Sequence, residues 1–339
     1  MTTIDAGADS RGAAGPTLST TEAADHGALI GRLTAAIGSA VAGAAGTVHL
    51  AVVALVSEGH ILVEDVPGVG KTRLARSLAA SVGGDHRRVQ FTPDLLPSDL
   101  TGVNVFNQAS REFEFHPGPI FANVVVADEI NRAAPKTQSA LLEVMEERLV
   151  TVDGVRYSVP DPFLIVATQN PVESSGTFRL PEAQLDRFLL RLSLGYPDEA
   201  AEMAIMRGTS LPAPESLAPV ADAAALAAVR DAVRRVHVAD SLYGYILTLA
   251  RATRNHPHLR LGVSPRATAA LAHAARAYAL SRGRAFVIPE DVDALVAPVW
   301  AHRLVLTPDS LVSGRSEAGI LAEVAAAAPA PQPEQAVSR

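Results

Sequence analysis

From Gly27 to Glu58, apolar positions recur at helical spacing, as at Leu29, Leu33 and Ile37, which predicts two helices. The pattern then alternates. His60–Glu64 reads as a short apolar strand, and Thr72–Val82 as a helix with Leu74, Leu78 and Val82 on one face. The β-branched run Asn123–Ala127 and the run Phe163–Thr168 read as buried strands, with a helix over Lys136–Arg148 between them. Such alternation predicts an α/β fold, a parallel sheet covered by helices. Two segments interrupt it with strand-period patterns. Val103 and Val105, then Phe113 and Phe115, flank the turn residues NQAS, and LVTVDGVRYSV (149–159) centres on Asp153-Gly154, so each predicts a hairpin. After Pro197 the strand signals end. Helical faces follow: Leu226, Val229, Val233 and Val236; then Leu242, Ile246 and Leu249; then Leu271, Ala275 and Tyr278; and last Val292, Val296 and Val299, opened by Pro289. The expected organisation is a tail over 1–24, an α/β unit over 25–194, a helical unit over 195–325 and a second tail over 326–339.

Composition narrows this picture. The 339 residues exceed the size at which single cores stop growing, about 250 residues, in line with two units. Hydrophobic residues make up 48%, which excludes a wholly disordered chain. Lys and Arg number 29 against 36 Asp and Glu, a net charge of −7, and aromatics make up 4%, so binding of nucleic acid over the whole surface is not expected. There is no cysteine, which rules out disulfides and thiolate metal sites. The longest apolar run, His49–Val56, is far shorter than the ~20 residues of a membrane-spanning helix, and the opening MTTIDAGADS has no signal-peptide pattern. A cytoplasmic protein is expected.

Chemistry concentrates in HILVEDVPGVGKTRLA. A strand runs into a Gly-rich turn, and Lys71 and Thr72 open a helix. Gly68 and Gly70 let successive N–H groups point at phosphate oxygens, and the helix N-terminus favours negative charge. Asp65, Val66, Pro67, Gly68, Val69, Gly70, Lys71 and Thr72 are therefore the candidate ATP-binding segment, with Lys71 reaching the β- and γ-phosphates and the Thr72 hydroxyl on Mg²⁺. Asp65 stands where the general pattern has its first glycine. Asp128 and Glu129 end the second strand, where open α/β sheets bind ligands. Asp128 would complete the Mg²⁺ site, and Glu129 would orient and deprotonate the attacking water. His256-Pro-His258 lacks a third ligand or the spacing of a zinc site. Arg230, Arg234 and Arg235 read as one solvated helix face.

The runs ILVEDVPGVGKT, GPIFANVVVADEINRAAPKTQSALLEVMEE, ATQNP and LPEAQLDRFLLRLSLGYPD together resemble the MoxR-type AAA+ ATPases, over residues 30 to 325. The resemblance implies an αβα P-loop core with one hairpin in helix 2 and one before the sensor-1 strand, followed by an all-helical lid. It also implies roles for single residues. Asn170 matches sensor 1, Arg187 in LDRF matches an arginine finger acting on a neighbour's nucleotide, and Arg266 in Ser264-Pro265-Arg266 matches sensor 2. Without the family pattern, Arg187 could equally cap a helix or pair with Asp186, and Arg266 could be an exposed first-turn residue. Ser264 and Pro265 suit a helix start on their own account. By resemblance, the protein is expected to be a homo-oligomer, a hexameric ring that remodels or matures a partner, often one carrying a von Willebrand factor A domain. The rival readings are the motor of a chelatase-like complex or nucleic-acid translocase, and a non-catalytic nucleotide-binding scaffold. The family's Val-Gly-Gln near adenine is replaced by Val41-Ala42-Gly43-Ala44, so adenine contacts stay unassigned. Arg179 stands where relatives often have proline.

Overall fold

A computed structural model of the protein describes residues 17–41, 43–66, 68–169, 177–178, 180–207 and 211–331. Helices α1 (Thr20–Ala40) and α2 (Ala45–Val56) lead into β1 (Ile61–Glu64), then α3 (Lys71–Ser81), β2 (His86–Gln90) and α4 (Pro97–Thr101). A hairpin of β3 (Gly102–Asn107) and β4 (Glu112–Pro117) precedes β5 (Val124–Asp128) and α5 (Pro135–Glu147). A second hairpin, β6 (Leu149–Val152) and β7 (Val155–Ser158), precedes β8 (Leu164–Gln169), α6 (Glu182–Leu185) and β9 (Leu190–Leu192). The remainder is mostly helical: α7 (Glu199–Met206), α8 (Ala223–Arg235), α9 (Asp240–Arg254), β10 (Leu259–Leu261), α10 (Pro265–Ser281), α11 (Pro289–Trp300), β11 (Val305–Leu306), α12 (Pro308–Val312) and α13 (Glu317–Ala327).

The main sheet has the order β2-β5-β8-β1-β9, with every pairing parallel. Side chains of a strand point alternately to its two faces, and this sheet is covered on both. Val124 and Val126 join Ile61, Val63, Leu74 and Leu78 on one side, while Val125 and Ala127 join Leu62, Ile165, Leu141 and Phe188 on the other. That double burial is why β5 and β8 read as continuous apolar runs rather than as alternating ones. The first of these clusters continues through α1 and α2 into the late helices, where Leu271, Leu295, Val299 and Trp300 are fully buried. The helical part thus shares one core with a face of the sheet.

Several expectations need correction. The N-terminal tail was expected to reach residue 24, but α1 starts at Thr20, capped by Ser19 and Glu22 in reciprocal hydrogen bonds. The S-x-x-E spacing was the signal for it. The tail expected from 326 overlaps the last turn of α13. Strand structure does not end at Pro197, because β10 and β11 pair antiparallel between the late helices. Neither β2 nor β9 carries a strand pattern in its sequence. HRRVQ is polar because β2 is an edge strand, and LRL is too short to show a period. Both hairpins form, and Asp153 and Gly154 both take positive φ (49° and 82°), as a tight two-residue turn between twisted strands requires. Asn104 Nδ2 donates to Asp153 Oδ2 at 2.7 Å, and Phe115 stacks on Tyr157 with centroids 3.9 Å apart, so the two hairpins brace one another. Arg230 does not lie on a solvated face. It is buried and paired with Asp161 at 2.6 Å.

Candidate active site

The loop after β1 turns at Gly68 and Gly70, whose φ values of 87° and 98° are open to glycine at little cost. Gly70 is the residue before α3, so the free N–H groups of that helix begin at the loop. The loop opens on a cavity of about 440 Å³ lined by Gly68, Gly70, Lys71 and Thr72 from one side and by Asp128, Glu129 and Thr168 from the ends of β5 and β8. The parallel order places these strand ends together, which brings the two sequence motifs to one site. Arg73, Arg76, Arg88 and Lys71 also line it, four cationic side chains against the two carboxylates. A chain of net charge −7 therefore concentrates positive charge where a polyanion would sit.

The acidic pair is tightly oriented. Asp128 is buried; its Oδ1 accepts from the Thr168 hydroxyl at 3.1 Å and its Oδ2 from Arg88 Nε at 2.5 Å. The same Thr168 oxygen accepts the Glu129 N–H at 3.0 Å. Glu129 has a φ of 56°, in the left-handed region, where a residue with a side chain costs of order 1–3 kcal/mol. Strain at that position turns the Glu129 side chain into the cavity, where Gln90 Nε2 donates to it at 2.7 Å and Arg132 pairs with it at 3.1 Å. Lys71 Nζ donates to the Asp65 carbonyl at 2.9 Å, so the ammonium is folded over the loop. The Thr72 hydroxyl and the Asp128 carboxylate are hard oxygen donors of the kind Mg²⁺ takes beside phosphate and water. Among the described residues no cluster of three His, Cys, Asp or Glu suggests another metal.

Gln90, Arg88 and Thr168 were not foreseen. The first two share one face of β2, the strand whose polar sequence concealed it, and alternation at i and i+2 was the available signal. Thr168 lay within a run read only as a strand.

The remaining expected residues are placed as follows. Asp65 does not line the cavity. Its Oδ2 accepts from the Leu194 and Gly195 N–H groups and from the Ser193 hydroxyl, so the carboxylate ties the phosphate loop to the turn after β9. That is why an acid can stand there: buried, it has three donors. Val66 and Val69 are likewise absent from the lining, and Pro67 lies outside the described residues. Asn170 and Arg179 also lie outside them. Arg187 and Arg266 do not line the cavity of their own chain. Instead, Arg187 Nη2 lies 3.1 Å from Glu146 Oε2 and Arg266 Nη1 donates to Glu146 Oε1 at 3.0 Å. Asp186, beside Arg187, accepts from Ser264 Oγ at 3.0 Å and from the buried Arg303 at 2.7 Å, while Arg303 also donates to the carbonyls of Phe188 and Leu189.

Comparison with known proteins agrees with this architecture. Residues 60–190 match the model of the ATPase family associated with various cellular activities (AAA), and residues 251–324 match that of the AAA lid domain. The chain is 47% identical to the uncharacterized protein YeaC of Bacillus subtilis, over 91% of this chain and 97% of that one. It is 43% identical to Chaperone MoxR1 of Mycobacterium tuberculosis, over 76% and 71%, and 34% identical to Protein MoxR of Paracoccus denitrificans, over 81% and 88%. The crystal structure of an ATPase candidate from Cytophaga hutchinsonii superposes with a TM-score of 0.85 at 34% identity, covering 91% of this chain and 97% of that one. The cavity joins a glycine-turned phosphate loop to a strand-end Asp-Glu pair, on a parallel sheet carrying a helical lid, and the chain belongs to the MoxR family of AAA+ ATPases.

Proposed function

We propose that the protein hydrolyses ATP with Mg²⁺ at the subunit interfaces of a ring, a hexamer by family resemblance, and uses the cycle to remodel or mature a partner protein in the cytoplasm. The observation that carries the reading is the split between the two halves of the chemistry: Lys71, Thr72, Asp128 and Glu129 share one cavity, whereas Arg187 lies outside it. Such a split leaves the arginine to serve a neighbouring copy. The bound cation would neutralise charge on the β- and γ-phosphates, held through Thr72 and Asp128. The loop N–H groups and Lys71 bind the triphosphate, Glu129 takes the proton of the attacking water, and a neighbour's Arg187 stabilises the charge that develops on the transferred group.

A protein client is favoured over nucleic acid by the β3–β4 hairpin. From Asn104 to Glu114 it carries one Arg against two Glu, and it exposes Phe106 and Phe113, stacked edge to face at 5.3 Å. An exposed aromatic pair with acidic neighbours suits apolar segments of protein rather than phosphates. A relative is named a chaperone, which is consistent with this reading. A partner with a von Willebrand factor A domain is the candidate that family resemblance offers.

The test is a mixing experiment. Lys71→Ala, expected to lose ATP binding, and Arg187→Ala, expected to bind without hydrolysing, are each assayed alone and then together. Recovery of turnover in the mixture supports catalysis between subunits; silence in mixed oligomers, shown to exchange by fluorescence transfer, refutes it.

A further inference from the structure

Glu146 occupies a position that its own helix disfavours. It lies in the last turn of α5, which has no basic residue there, and an anion at a helix C-terminus opposes the helix dipole. Arg266 has the mirrored problem: it is a cation in the first turn of α10, which has no acid there. Two local rules are broken, and the fold places the two offenders together at 3.0 Å across 120 residues of sequence. Arg187 joins them on the other carboxylate oxygen, at 3.1 Å. One carboxylate thus bridges two guanidiniums that would otherwise repel each other, one from the loop after α6 and one from the helical part, and offsets about half of their charge. Conflicts of this kind between local preference and global structure gather at functional sites.

The surroundings hold this arrangement from behind. Asp186 links the backbone next to Arg187 to the Ser264 cap of the Arg266 helix and to the buried Arg303. The carbonyl of Met145, one residue before Glu146, lies 3.1 Å from His60 Nε2. Arg187 and Arg266 keep 29% and 49% of their side-chain surface exposed, so the outer sides of both guanidiniums stay open to a second anion. Arginine forks suit phosphate oxygens in that role.

We propose that Glu146 is a positioning residue, which holds Arg187 and Arg266 side by side as a two-guanidinium clamp for the phosphate oxygens of a nucleotide bound by a neighbouring copy of the chain. The inference rests on the interface reading given above. In this role Glu146 takes no part in the chemistry itself; it sets where the two arginines lie.

The experiment uses the full chain with Glu146→Gln, which keeps the shape and removes the charge, and Glu146→Asp, which keeps the charge. Steady-state ATP hydrolysis gives kcat and KM, and a fluorescent ADP analogue reports nucleotide affinity. Glu146→Gln is expected to lower kcat roughly 10–100-fold, the scale of a misplaced catalytic group, with affinity unchanged within about twofold, and Glu146→Asp to restore part of the rate. Mixed with Lys71→Ala, Glu146→Gln should regain turnover, because one interface then joins an intact phosphate loop to an intact clamp. The clamp is overturned by a wild-type or raised kcat, by a loss of nucleotide affinity that parallels the loss of rate, or by no recovery in a mixture where Arg187→Ala does recover. If the Arg187→Ala mixture also fails, the interface reading itself falls, and the clamp with it. Should Glu146→Gln not fold, Arg266→Ala carries the same mixing test, with the same outcomes for and against.

Discussion

The phosphate-loop cavity and the Glu146 cluster are both charged sites, and they are built in opposite ways. In the cavity, backbone does most of the placing. Two glycines turn a loop, a helix starts, and the parallel strands deliver Asp128, Glu129 and Thr168 at their ends. In the cluster, side chains do the placing, from the end of α5, the loop after α6 and the start of α10. A backbone cradle survives loss of a single side chain in shape, though not in charge. A cluster of side chains loses its geometry as soon as one member goes. The two sites should therefore fail differently when altered.

The largest effect separates them most cleanly. Arg187→Ala should cut kcat by about 10³–10⁵-fold and leave ATP affinity intact, measured by turnover beside equilibrium binding; weakened binding would place Arg187 with its own cavity and dissolve the contrast. Next, Glu129→Gln should lose about 10²–10⁴-fold in turnover while trapping bound ATP, because the loop and Lys71 are untouched. Full turnover in that variant would remove Glu129 from the chemistry.

Stability sharpens the comparison further. Arg303→Ala removes the buried donor to the Asp186 carboxylate and to the backbone carbonyls of Asp186, Phe188, Leu189 and Val299. A cost of about 3–5 kcal/mol is expected, read by chemical denaturation. The cavity variant Thr72→Ala should cost far less, since no hydrogen bond of its side chain holds the described fold together. If the two losses prove equal, the cluster is no more structural than the cavity.

Acid should act on the cluster side as well. The His60 ring accepts the Ile165 N–H at Nδ1 (3.0 Å) and so carries its proton at Nε2, facing the Met145 carbonyl. Full burial, aided by Arg148, lowers its pKa to about 3, and burial, aided by Arg282, lowers that of His49 to about 4. Their folded-state pKa values lie below the unfolded value, so the unfolded chain binds the proton first. Stability is then complete above pH 6.5 and is lost as pH falls toward those values. His60 alone should cost roughly 2 kcal/mol by pH 5, and denaturation midpoints at pH 7.5 and 5.0 measure it. A midpoint that does not move would show that the ring is not held neutral. The smallest effect belongs to the hairpins: Asn104→Ala removes one exposed hydrogen bond to Asp153 and should cost less than about 1 kcal/mol.

The cavity was largely legible beforehand because its determinants are local. A strand, a glycine turn and a helix start occupy adjacent residues, and the apolar run 124–127 announces where Asp128 must emerge. What stayed hidden depends on neighbours distant in sequence. Arg88 and Gln90 sit on an edge strand whose polar pattern resembles a loop, and their role becomes visible only when β2 pairs with β5. Arg230 looked like one of three solvated arginines until Asp161 was brought beside it.

The chain alone determined the alternation of the central buried strands with helices, both hairpins, and the glycine-rich loop and Asp-Glu pair that line one cavity. Each rests on spacing within a few residues, where periodicity and backbone freedom act directly. Only the tertiary structure decided that Asp65 ties the loop to the turn after β9, and that Glu146 joins Arg187 to Arg266. Charge pairs form between whichever elements packing brings together. A helix shows which face is apolar, but it carries no record of which charge, 120 residues away, will meet its last turn.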